Sequence, residues 1–353
     1  MGKCLVTRLN GVANNDKLPI LGGFKVKFDK VNQPTAYTQS IGIVTNKPTT
    51  LKIVGEGYFT DSSLTNNIGK EITIGDGGNS KIFVSNDGVT LLVCNKYDIT
   101  ILKDWEQSLS YPSKRGLNKH LNLEDLKYSN SLNIVDFQGQ GVSGDISALE
   151  NLRISQLYLD SKNITGDIKS IGKISTLNTF ELRGSSVTGD ISALANLKNL
   201  TKFSNYGTVL YGDISAFSGL SKLTSFELFA SALNRITGDI GALSNLPQLN
   251  NIDITYSNIT GDVAKMPSSF SLLALHSNTG TLTWSSRPSS ANIISFKDGI
   301  KFDNIDKMLQ DQANCQVPSI NTKIIDVIGT RTSASDAAVA TLQQKGYTVI
   351  VNS

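Results

Sequence analysis

The chain has 353 residues, with 33 Lys and Arg against 30 Asp and Glu and a net charge of +3. That length holds two or three domains and at least one sizeable core, and the near-neutral balance supplies no broad basic field for nucleic acid or an anionic membrane surface. Three scattered cysteines, Cys4, Cys94 and Cys315, exclude a disulfide framework, and two histidines, His120 and His276, exclude a His-rich metal site.

The first residues, MGKCLVTRLNGVANNDK, reach Asn and Asp before any apolar leader core is built. No stretch approaches the ~20 apolar residues of a spanning helix. The expectation is a protein made in a cytoplasm, with no signal peptide and no membrane insertion. Residues 1–105 then carry short apolar runs, FKVKF, SIGIVT, TLKIVG, EITIG, KIFVS, TLLVC and DITIL, separated by turn words such as GDGG and NDG. Runs of that length, with no helical period between them, predict a small all-β domain. Residues 106–130 read as a connector and N-terminal cap, in which Leu123, Leu126 and Tyr128 cover an open end.

A repeat fills residues 131–285. GDI or GDV begins at Gly144, Gly166, Gly189, Gly212, Gly238 and Gly261, at spacings of 22, 23, 23, 26 and 23. Apolar residues precede each glycine by 12, 9, 7 and 2 positions, as in Leu177, Phe180, Leu182 and Val187 of the third unit. The fourth unit breaks the pattern at Asn205, and the fifth carries an insertion at Ser231–Leu233. LxxLxL at this spacing is a short strand sending alternate side chains into a core, and stacked copies make a parallel sheet. The glycine permits a tight turn, and the aspartate that follows it is placed to cap the next turn of helix. A residue repeated with the scaffold is most simply part of the scaffold, so Asp145, Asp167, Asp190, Asp213, Asp239 and Asp262 read as caps rather than as acids or calcium ligands.

The consensus LxxLxLxxSxITGDIxxLxxL resembles the leucine-rich repeat family. That resemblance implies an α/β repeat solenoid, a parallel β-sheet with short convex helices or turns, here preceded by the all-β domain. It also implies binding through exposed strand positions on a concave face. Strand alternation puts the positions 8 and 6 before each glycine on that face. Read in order, the first set is Asp136, Tyr158, Glu181, Ser204, Glu227, Asp253 and Ala274, and the second is Gln138, Asp160, Arg183, Tyr206, Phe229, Thr255 and His276. Aromatics and arginine are common interface anchors, so Tyr158, Glu181, Arg183, Tyr206, Glu227 and Phe229 form the expected partner strip.

Residues 286–353 change period again. Asp303 is placed to cap a helix carrying Ile305, Met308 and Leu309, KIIDVIG is strand-like, and Ser333 with Asp336 has capping-box spacing ahead of a second helix that stops at Gly346. This β-α-β ending reads as a C-terminal repeat or cap.

Phosphate-loop, dinucleotide, zinc-protease and nucleophile-elbow words are absent. The reading is therefore non-enzymatic, with no catalytic residue, metal or cofactor expected. The repeats and the leaderless N-terminus MGKCLVTRLNGV also resemble structural proteins of phages infecting Bacteroides-type gut bacteria, and BspA-like bacterial surface proteins. That resemblance implies a virion component, such as a tail or head fibre or a capsid-decorating protein. Its N-terminal domain would hold other virion proteins and its repeats would face a protein or glycan; self-association is compatible with it. The alternative it implies is a bacterial leucine-rich-repeat interaction or adhesion protein.

Overall fold

The computed structural model describes the backbone of the strands between residues 24 and 103, together with residues 119–138, 141–229, 235–267, 272–286, 293–315 and 323–353. Cys4, Cys94, the connector up to residue 118 and the insertion at Ser231–Leu233 lie outside the described residues. The chain forms two compact units, Met1–Leu177 with Arg183–Ser186, and Asn178–Leu182 with Val187–Ser353.

Each repeat is a five-residue strand, a tight turn, a second strand ending in Gly-Asp, and a short 3-10 turn. The strands stack into two parallel ladders, one of LxxLxL strands and one of ITGD strands. This is the leucine-rich-repeat architecture. The expected convex helices are 3-10 turns of mostly four residues, such as Ile191–Leu194 and Ile214–Phe217. A unit of 22 to 26 residues that already holds two strands leaves no room for more.

In the first unit the expected N-terminal strands are present, as Phe24–Phe28, Ser40–Thr45, Thr49–Val54, Glu71–Ile74, Asn79–Val84, Thr90–Val93 and Ile99–Lys103. They pair antiparallel among themselves, and two of the pairings lead into the repeats. Ile99–Lys103 runs parallel to Ile134–Gln138, which runs parallel to Gln156–Asp160. Phe24–Phe28 pairs antiparallel with Lys119–Asn122, which runs parallel to Val142–Asp145. Leu123 and Leu126 are fully buried beneath the first repeat, but Tyr128, in a left-handed conformation at φ 69°, is 60% exposed. It faces solvent rather than completing the cap.

The Gly-Asp words have a mechanical explanation. Each aspartate accepts a hydrogen bond at Oδ1 from the backbone N–H two residues on, as in Asp190 from Ser192 at 2.8 Å and Asp239 from Gly241 at 2.7 Å. Asn122 does the same for Glu124 ahead of the first repeat. The aspartate of one unit also lies against the glycine of the next. A Cβ on Gly238, whose φ is +120°, would stand 2.5 Å from Asp213 Oδ1. Glycine is thus required twice over, for the positive φ and for the approach.

In the second unit the inward positions are sealed: Leu182, Phe203, Leu228, Ile252 and Ile254 have no exposed surface. Phe180, Phe203, Phe217 and Phe226 pack in series with centroid spacings of 5.6, 5.9 and 5.1 Å, the first pair stacked and the next two tilted. Asn205 occupies a core position and is also fully buried; it accepts from Thr208 Oγ1, while its Nδ2 has no acceptor. Beyond the sixth Gly-Asp word, Leu272–His276 forms a further strand parallel to Asn251–Thr255.

Ile293–Lys301, Ile324–Ile328 and Thr348–Asn352 extend that ladder in parallel, joined by helices α1 (Ile305–Asn314) and α2 (Asp336–Gln344). The helix starts differ from the sequence reading. The N-cap of α1 is Asn304, at φ 62° with no side-chain cap bond, not Asp303. Ser333 opens a 3-10 turn capped by Thr332, so no capping box forms. Asp306 instead accepts from Thr332 N, Thr332 Oγ1 and Ser335 Oγ; desolvation is the largest single effect and pushes its carboxyl up, but these bonds and the Arg331 charge together hold it below the usual range. At the other end Gly346, at φ +85°, terminates α2 as expected, and Lys345 donates to the carbonyls of Ala313 and Cys315.

Candidate functional site: the outward strand face of the second unit

Three parallel strands of the second unit, Lys202–Tyr206, Ser225–Phe229 and Asn251–Thr255, turn their alternate residues away from the core. Register sets Ser204 beside Glu227 and Glu227 beside Asp253, with Tyr206 beside Phe229. Neighbouring strands lie about 4.8 Å apart, so equivalent side chains meet face to face. The Tyr206 and Phe229 rings stack with centroids 4.5 Å apart and planes 11° from parallel.

Glu227 is the hub. Its Oε2 accepts from the Tyr206 hydroxyl and from Ser204 Oγ at 3.0 Å. Its Oε1 faces Asn251 Nδ2 at 3.5 Å, while the same amide also donates to Ser225 Oγ at 3.2 Å. Ser204 is fully buried under this network although it stands on the outward side of its strand. Asp253 is different. Its Oδ1, like Asn251 Oδ1, is closed off from water and accepts no hydrogen bond. Burial, and then the neighbouring Glu227 charge, push its pKa up to about 7. Two carboxyl groups side by side do not both ionise easily.

The flank of this face is polar. Register continues from Thr255 to His276 and on to Lys297. His276 is half-buried, and burial with the Lys297 charge lowers its pKa, against a smaller opposing effect of Asp298. The residues that follow Thr255, His276 and Lys297, namely Tyr256, Ser277 and Asp298, all hold positive φ (51°, 54° and 68°), as Gly207 does after Tyr206. Left-handed backbone costs a non-glycine residue roughly 1–2 kcal/mol.

Of the six strip residues, Tyr206, Glu227 and Phe229 come together in one hydrogen-bonded and stacked group. Glu181 faces outward on its own strand of the second unit, and Tyr158 and Arg183 face outward in the first. Asp253 and Asn251 were not singled out by the sequence reading. The signal was available for Asp253: it and Glu227 hold the same repeat position in successive units, which makes two acids lateral neighbours. Nothing in the spacing marked Asn251. Cys315 is buried, with its thiol directed to the Asp311 carbonyl. Among the described residues no group of three or more His, Cys, Asp or Glu could hold a metal ion. No described helix is long and apolar enough to cross a membrane.

No family model and no curated protein matches the sequence. Solved structures do resemble it. They include the plant peptide hormone receptor RGFR1 in complex with RGF2, at 15% identity and a TM-score of 0.40 over 64% of this chain and 48% of that one. The leucine-rich-repeat ectodomain of an Arabidopsis thaliana membrane receptor kinase matches at 16% identity and TM-score 0.42, over 65% and 31%. A leucine-rich-repeat protein of Leptospira interrogans matches at 14% and 0.43, over 64% and 62%. The chain covers less than half of either plant receptor.

Proposed function

We propose that this chain is a non-catalytic binding protein that reads a partner with the outward strand face of its second unit. The stacked Tyr206–Phe229 pair, fastened to Glu227, carries this reading. The core needs neither ring, because inward positions alone fill it, and rigid aromatics beside charge are the make-up of interface hot spots. Glu227 and Asp253 on the same face oppose a phosphate backbone, which argues for a protein or glycan over nucleic acid. The protein then acts as a bacterial-type interaction or adhesion module.

Placement in a phage particle, held through the N-terminal strands, is the finer version. It rests on the N-terminal word MGKCLVTRLNGV, outside the described residues, and mass spectrometry of purified particles tests it. The binding reading is tested by offering a random peptide display library and a glycan array to the wild-type chain and to a Tyr206→Ser, Phe229→Ser double variant. Ligands selected by the wild type and lost by a variant whose melting temperature stays close to wild type support it. Ligands retained by the double variant remove this face from consideration.

A further inference from the structure

The outward face is short of hydrogen-bond donors. Tyr206 and Ser204 both spend theirs on one oxygen of Glu227, and the Asn251 amide is shared between Ser225 and the other at long range. Nothing donates to Asp253 Oδ1 or Asn251 Oδ1. Buried acceptors without donors are uncommon and costly. The cations on the same side do not repair this. Lys202 stands on the neighbouring outward row and Lys297 lies two strands beyond Asp253, yet neither is paired with Glu227 or Asp253. The same place holds two adjacent carboxyl groups and a flat aromatic stack. A planar, fully ionised group with five N–H donors complements all three features, and it stacks on aromatic rings where an ammonium gains less.

We propose that this face binds an arginine side chain presented by a protein partner, its guanidinium seated on Glu227 and Asp253 beside the Tyr206–Phe229 stack. This deepens the binding reading above and rests on it. Without the partner, burial and the neighbouring Glu227 charge favour the protonated form of Asp253; the guanidinium replaces that proton. Binding therefore strengthens as pH rises through the Asp253 titration. The other groups facing this site are Glu227, which raises the Asp253 pKa, and Lys202 and Lys297. His276 and Asp298 lie on the next strands, where burial and the Lys297 charge lower the His276 pKa from its usual range against the smaller effect of Asp298.

The test uses the full chain and three fluorescein-labelled pentapeptides, Gly-Arg-Gly-Arg-Gly and its lysine and citrulline counterparts, followed by fluorescence polarisation. Citrulline keeps the shape of arginine and removes the charge. The arginine peptide is expected to bind at least about tenfold more tightly than either counterpart, and to weaken several-fold from pH 8 to pH 6. Glu227→Gln and Asp253→Asn, checked for intact melting, should each weaken it about tenfold or more, and Asp253→Asn should abolish the pH dependence. Equal binding of the three peptides, no binding of any, or arginine binding that both variants leave unchanged overturns the proposal. Should the display library return ligands that depend on Tyr206 and Phe229 but lack arginine, this inference fails while the binding reading stands.

Discussion

The Gly-Asp turns and the outward face of the second unit are made from equally short strands, yet they are built to opposite rules. In the turns the aspartates are used: each closes its own 3-10 turn, and Asp145, Asp190, Asp213 and Asp239 lie against the glycine that follows in the next repeat. On the face, equivalent positions differ from unit to unit, two buried acceptors lack donors and two carboxyl groups stand side by side. A scaffold repeats whatever satisfies its own backbone; a departure that leaves groups unsatisfied needs another cause, and the partner proposed above supplies one.

Substitutions can sharpen that contrast. The largest effect is expected in the core behind both regions. Leu182→Ala removes a fully buried ladder residue and should cost about 2–5 kcal/mol in denaturant unfolding. An unchanged midpoint would place Leu182 outside the core.

Next is the pH dependence of stability. Asp253 has a folded pKa near 7 against an ordinary value of 3.8, so the folded state holds the proton more tightly than the unfolded one. Its contribution is fully present below pH 3.8 and is lost as pH rises through about 7. Allowing for solvent screening, the loss is on the order of 2 kcal/mol. Asp253→Asn should flatten the stability profile between those limits; the same slope in wild type and variant would assign the titration to another group.

The turns should respond less, and without any binding effect. Asp190→Ala leaves the Ser192 amide without its acceptor and should cost about 0.5–2 kcal/mol. Circular-dichroism melts give the cost, and a ligand affinity altered in the folded variant would show that the turn words do more than hold the scaffold. The smallest stability effect belongs to the rings. Phe229→Ser forfeits a stacked pair worth about 0.5–1.5 kcal/mol.

The legibility of the molecule follows the same division. The register of the apolar positions, the capping aspartates and every N-terminal strand proposed from a short apolar run could be read because each follows from local chemistry or a repeated spacing. Tyr128, Asn304 and Ser333 could not. Each takes a backbone conformation or bonding pattern set by tertiary neighbours, as when Asp306 draws Thr332 and Ser335 to itself and leaves no capping box. Alternation was enough to turn Tyr206, Glu227 and Phe229 outward. The Asp253–Asn251 end of the group depends on which side chain reaches which across strands, and no spacing encodes that.

The central claim is that the outward face serves a partner and the fold does not need it. Thermal unfolding and ligand affinity measured on one Tyr206→Ser, Phe229→Ser protein test it most directly. The account predicts a melting temperature close to wild type, and a loss of at least about 2 kcal/mol of binding for each ring. Affinity that survives with the fold intact, or a melting temperature that collapses with no loss of binding, would contradict it.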